Sequence, residues 1–120
     1  MTDLDDLRTK SSRDPGNAMF RNLLGIEIYN ALSDAQDEGD LAARDALRDE
    51  LRGLAAAHPA DANVRKRLAK ACWIVLMHAH EGDDAPGRDR ALEELRGLGA
   101  KYPDDAHVEK YVRRADNIFR

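Results

Sequence analysis

A single cysteine, Cys72, is all the chain offers for covalent bracing, and one thiol cannot close an intramolecular disulfide. There is also no charged start followed by an apolar stretch and a small-residue cleavage site, so a reducing, cytoplasmic setting is expected. The longest apolar run, Trp73-Ile74-Val75-Leu76-Met77, falls far short of the roughly 20 residues that cross a bilayer, and no membrane association is expected. β-branched residues are few and never alternate over the length of a strand, which argues against a sheet. No glycine-rich phosphate loop occurs. The net charge of −4 comes from interspersed charges of both signs. Such a chain has no global basic field, which argues against nonspecific nucleic-acid binding.

What the chain does have is a repeat. Pro15, Pro59 and Pro103 lie 44 residues apart. Each opens a similar segment: Pro15-Gly16-Asn17-Ala18, Pro59-Ala60-Asp61-Ala62 and Pro103-Asp104-Asp105-Ala106. Leu51-Arg52-Gly53-Leu54 recurs as Leu95-Arg96-Gly97-Leu98, and Glu38-Gly39-Asp40 as Glu81-Gly82-Asp83 with a one-residue slip. The hydrophobic period is helical throughout, and 120 residues suit one all-α domain that can bury a core without disulfides or metal.

Six helices are expected. The first runs from about Thr2 to Ser12 with Leu4 and Leu7 inward, and Thr2 opens it three residues before Asp5, close to a capping box. The second, about Asn17 to Asp37, turns Phe20, Leu24, Ile28, Ala31 and Ala35 to one face; Gly39 stops it and Asp40 caps the third. The third ends near Ala57 and uses Leu47, Leu51 and Leu54. The fourth, Asp61 to about His80, uses Val64, Leu68, Ala71, Val75 and Ala79. The fifth follows a loop from Gly82 to Gly87 and uses Ala91, Leu95 and Leu98. The sixth starts at Asp105 and uses Val108, Val112, Ala115 and Phe119. Asn17, Asp61 and Asp105 sit at equivalent helix starts, where a side-chain oxygen can take an otherwise unpaired backbone N–H. Gly53 and Gly97, matched inside two helices, predict close helix approach. Short connections make consecutive helices antiparallel, and a hairpin that cannot cover its own apolar face must stack on the next.

The spacing Ala91, Leu95, Leu98, Pro103, matched by Leu47, Leu51, Leu54, Pro59, resembles the tetratricopeptide repeat family. Leu68-Ala69 is similar to the family's Leu-Gly step, and Gly39-Asp40 and Gly82-Asp83 to its turn. The resemblance implies a right-handed stack of antiparallel helical hairpins, a tetratricopeptide-like α-solenoid. Residues 1–14 would form a half repeat, 15–58 and 59–102 whole repeats, and 103–120 a capping helix. The repeat exceeds the family's usual length of about 34 residues, and its Trp and Tyr positions are mostly replaced, so a HEAT-type two-helix solenoid is the rival.

In the family, the first helices of successive hairpins line a groove for a peptide or a partner's helix. Here those are the second, fourth and sixth helices. Opposite their core stripe they carry Asn22, Ile26, Tyr29 and Ser33, then Lys66, Lys70, Trp73 and Met77, then Lys110, Arg114 and Asn117. Aromatic and Met side chains with cations one turn apart suit an acidic, partly apolar peptide. The competing reading is structural: Trp73, Met77 and Tyr29 pack beneath the adjacent hairpin, with the lysines at its edge. Lys110-x-x-x-Arg114 matches half of the family's carboxylate clamp, but Asn22 and Ile26 stand where the other half would be, so that specificity is not assigned.

Other chemistry-bearing residues point elsewhere. His78, His80, Glu81, Asp83 and Asp84 bunch at a helix end, but no two histidines have the one-turn spacing that shares an ion. His78 and His80 suit the helix's terminal carbonyls and dipole, and Asp83 or Asp84 suits the next cap. Cys72 reads as a small buried hydrophobe, and His58, aligned with Tyr102, as a packing residue. Arg113, Arg114 and Arg120 complement a helix C-terminus. The expectation is a non-enzymatic module without cofactor or metal that binds a protein or peptide. The alternative is a homodimer joined through the Trp73/Met77 face or the first helix.

Overall fold

The computed structural model describes residues 3–119. They form α1 (Leu4–Arg13), α2 (Ala18–Asp37), α3 (Leu41–Ala57), α4 (Ala62–Glu81), α5 (Ala85–Lys101) and α6 (Ala106–Ile118), with no strand among the described residues. The chain is therefore all-α. It divides into two compact units, the first ending at Leu68 and the second starting at Ala69, so the division falls inside α4. In the first unit α2 packs against both α1 and α3; in the second α5 packs against α6.

The repeat is written into the backbone. The residue closing α1, α3 and α5 takes nearly the same conformation each time: φ −134°, ψ 68° at Asp14, −132° and 66° at His58, −126° and 64° at Tyr102. Proline follows, since its fixed φ and missing N–H cannot continue a helix. Each turn then closes with the same hydrogen bond, from Asn17 N to Asp14 O (3.0 Å), Asp61 N to His58 O (3.0 Å) and Asp105 N to Tyr102 O (3.1 Å). Asn17, Asp61 and Asp105 cap the helices they open, accepting from the N–H groups of Phe20, Val64 and Val108 at 3.1, 3.3 and 3.2 Å. Arg21 and Arg65, one repeat apart, each donate back to the turn, to Pro15 O at 2.8 Å and Pro59 O at 2.7 Å.

The other turn type ends α2 and α4. Asp40 N reaches Ala35 O (2.9 Å) and Gly39 N reaches Gln36 O (3.0 Å), while Asp84 N reaches Ala79 O (2.8 Å) and Asp83 N reaches His80 O (3.3 Å). This pair of bonds satisfies the last carbonyls of a helix only when the residue after its end is left-handed. That residue is Gly39 (φ 80°) in the first case and Asp83 (φ 57°) in the second. The one-residue slip between Glu38-Gly39-Asp40 and Glu81-Gly82-Asp83 is thereby corrected: Gly39 matches Asp83, the 44-residue spacing holds without a slip, and Gly82 closes the helix. Asp40 and Asp84 then cap α3 and α5 through the N–H groups of Ala43 and Gly87, both at 3.1 Å. Of the two aspartates considered for that second cap, Asp84 is the one that serves.

At the first helix, Thr2 lies outside the described residues; Asp3 is the cap, accepting from Asp5 N at 3.4 Å. The first core holds Leu7, Leu24, Ile28, Leu32, Leu51, Val64 and Leu68; the second holds Ala71, Val75, Leu76, Ala91, Leu95, Val108 and Ala115. Phe20, Ala31, Leu47, Leu54, Leu98, Val112 and Phe119 are half-buried rather than central. Leu32, Ala55, Leu76 and Leu92 are buried beyond the expected stripes. A helix such as α2, with neighbours on two sides, buries a wider arc than one stripe describes.

Close helix approach falls on other glycines than expected. A Cβ on Gly53 or Gly97 would meet nothing within 4 Å, and both residues are exposed. A Cβ on Gly99 would lie 2.9 Å from Val112 Cγ2. The missing side chain there lets α5 and α6 touch.

Candidate partner-binding surface

Helix α4 presents Lys66, Lys70, Trp73 and Met77 at steps of four, three and four residues, which places them along one side of a single helix. All four are half-buried. In the second unit the Trp73 ring lies 6.2 Å from that of Tyr111 on α6, tilted by 37°. Tyr111 is buried, and two cations converge on its ring: Lys110 Nζ is 5.4 Å and the Arg114 guanidinium carbon 5.8 Å from the centroid. Those distances are within reach of the negative ring face, so the Tyr111 ring helps hold both cations in place. The Asp105 cap fixes the start of α6 and hence the direction in which Lys110, Tyr111 and Arg114 emerge.

Trp73, Lys110 and Arg114, expected from the sequence, are thus gathered by Tyr111, which the sequence reading missed. The signal was present: Tyr111 lies three residues after Val108 and four before Ala115, on the same stripe. Trp73 also supports the structural reading, since its ring packs on a buried neighbour. Met77 is half-buried on the same helix. In the first unit Asn22, Ile26, Tyr29 and Ser33 lie half-buried along α2, and Lys66 occupies the start of α4. Lys110, Arg114 and Asn117 are exposed on α6.

The first unit also holds an ion pair beside the Pro59 turn. Arg21 Nε donates to Asp61 Oδ2 at 2.7 Å, with side chains only 13% and 9% exposed. Burial works against the charge on Asp61. The Arg21 guanidinium and the N–H groups of Val64 and Asn63 outweigh it and hold the carboxyl below its ordinary value of 3.8. Asp61 therefore joins the start of α4 to α2.

The remaining candidates have structural employment. The His80 and Phe119 rings pack nearly perpendicular, with centroids 4.9 Å apart. Cys72 is fully buried. His58 is half-buried and lines a cleft beside α1. Arg113 pairs with Glu109, and Arg120 lies outside the described residues. Among the described residues, no group of three His, Cys, Asp or Glu could hold a metal ion, and no helix is long and apolar enough to cross a membrane. Comparison with protein-family models, with curated proteins and with solved structures finds no match to this chain.

Proposed function

We propose that the chain is a non-enzymatic, cytoplasmic helical-repeat module of tetratricopeptide-like type that binds a peptide or partner protein bearing acidic residues. The observation that carries this reading is the contact of Trp73 with Tyr111, on whose ring Lys110 and Arg114 converge. The half-buried Trp73 ring, backed by buried Tyr111, supplies apolar area, and two cations one turn apart suit a carboxylate. The repeated turns support the helical-hairpin family, although 44 residues also suits a HEAT-type unit. Under this reading α2, α4 and α6, the first helices of their hairpins, carry the recognition residues. The test is capture from a peptide array graded in acidic content. Lys66→Glu with Lys70→Glu, and separately Lys110→Glu with Arg114→Glu, should abolish capture of acidic peptides with circular dichroism unchanged. Unchanged capture by both double variants removes the proposal.

A second reading, self-association, draws on Met19 and Leu23. They lie one turn apart on α2 and are 62% and 41% exposed. Sedimentation over a hundredfold concentration range separates the two readings, because Leu23→Lys should dissociate a homodimer and leave peptide capture untouched.

A further inference from the structure

One stripe of α2 is open along its length. Met19, Leu23, Glu27, Asn30, Asp34 and Asp37 follow at steps of four, four, three, four and three residues, so they lie one above another on a single side of the helix. All are exposed except half-buried Glu27. Later helices of the repeat use the same registers for packing. Arg67, one repeat after Leu23, lies over α2, its Cγ 3.7 Å from the place a Cβ on Gly25 would take. Tyr111, one repeat further, is buried beside Trp73 of α4, and Ala71 and Ala115, at the register of Glu27, are buried too. The registers that meet a neighbouring helix in α4 and α6 are therefore bare in α2.

The stripe divides by chemistry. Its first two residues are apolar, and the rest carries carboxylates without a cation. Among the described residues no ion pair engages Glu27, Asp34 or Asp37, and Arg21, the one basic residue of α2, is committed to Asp61 and Pro15 O. Asp34 and Asp37 also sit at the negative end of the helix, whose last turn has no basic residue to offset them. We propose that this stripe receives a helix of a partner protein, with a small residue over Leu23 and Lys or Arg facing the acidic half. The small residue is what the repeat sets against this register: Gly25 lies under Arg67, and Ala69 keeps the position small and buried one repeat later. The basic residues complement Glu27, Asp34 and Asp37, a charge preference opposite to that of Lys110 and Arg114. A second copy is a poorer occupant. Two such stripes together bring carboxylates and no cation into one seam. The copy's basic helix, α6, carries Arg113 at the register of Gly25 and ends at Ile118, the register of Asn30, before the acidic end is reached.

The probe is an acetylated, amidated peptide of three heptads with Leu at a, Ala at d and Lys at e and g, titrated into the full chain labelled with nitrogen-15; its control carries Glu in place of Lys. The expected result is saturable shifts at the amides of Leu23, Glu27 and Asn30 with the Lys peptide and none there with the Glu peptide. Glu27→Lys with Asp34→Lys should weaken the Lys peptide about tenfold and let the Glu peptide shift the same amides. Leu23→Asn, at an exposed position, should weaken the Lys peptide as well. Circular dichroism verifies that both variants fold. The proposal is overturned by equal shifts with the Glu peptide, by undiminished binding when Phe replaces Ala at d, by shifts confined to α5 and α6, or by no shift up to about 1 mM peptide. Self-association of the free chain that Leu23→Asn abolishes would place a second copy on the stripe and overturn it equally.

Discussion

Asp61 holds two posts. Its Oδ1 caps α4 and its Oδ2 receives Arg21, and the two tasks separate by substitution. Asparagine serves as the cap one repeat earlier, at Asn17, so Asp61→Asn keeps the cap and removes the charge. With Arg21 left largely enclosed, the variant should lose about 2 kcal/mol at neutral pH. The pH dependence follows from the depressed folded-state pKa of Asp61. A carboxyl held below its unfolded value contributes stability that is complete above about pH 4 and is lost as pH falls through the folded value. Urea unfolding from pH 7 downward should therefore show the gap between the parent and Asp61→Asn closing below about pH 4. A constant gap would mean that the pair contributes nothing through charge.

At the scale of the helix and its ends, the glycines divide by surroundings. Gly53 and Gly97 lie inside α3 and α5, exposed and with open space where a side chain would go. Alanine there should raise stability by about 1 kcal/mol each through helix propensity, read as a thermal midpoint several degrees higher. Gly99→Ala gains the same propensity but drives its Cβ into Val112, and overpacking costs about 1–3 kcal/mol, so its midpoint should not rise. Asp83→Gly should stabilise, because Asp83 holds a left-handed conformation that glycine adopts without strain. The same residues mark how far the sequence could be read. Caps and stops were legible, since Asn, Asp, Gly and Pro act locally and their chemistry is visible in the letters. The register of the second short turn was not. Matching Glu-Gly-Asp letters suggested a slip, whereas the hydrogen bonds to Ala35 and Ala79 fix the left-handed residue at Gly39 and Asp83. Gly53 and Gly97 misled for a similar reason, because recurrence shows that a position repeats without showing which way it faces.

At the scale of the whole chain, repetition explains both what the residues share and where they stop sharing. Leu7, Leu51 and Leu95 stand one repeat apart and all are buried, and Ser11, Ala55 and Gly99 keep small side chains at a second shared position. This much of the fold was legible because burial imposes the same period on every hairpin. The candidate surface was legible only in part, since Tyr111 joins Trp73 by a ring contact between helices that no single-helix pattern contains. The period fails at α6. Where α2 buries Gly25 and Ile28, and α4 buries Ala69 and Cys72, α6 carries Arg113 and Asp116. Both are engaged with charged neighbours, Arg113 with Glu109 and Asp116 with Arg96. Charge at these two registers keeps that side of α6 in water, where apolar residues would recreate a surface that its counterparts bury. Arg113→Ala with Asp116→Ile restores the buried pattern of the earlier helices without touching the caps or either core. The variant should remain as helical as the parent but sediment as an oligomer at micromolar concentrations at which the parent does not. If it sediments like the parent, the two charges are not what keeps this side of α6 in solvent.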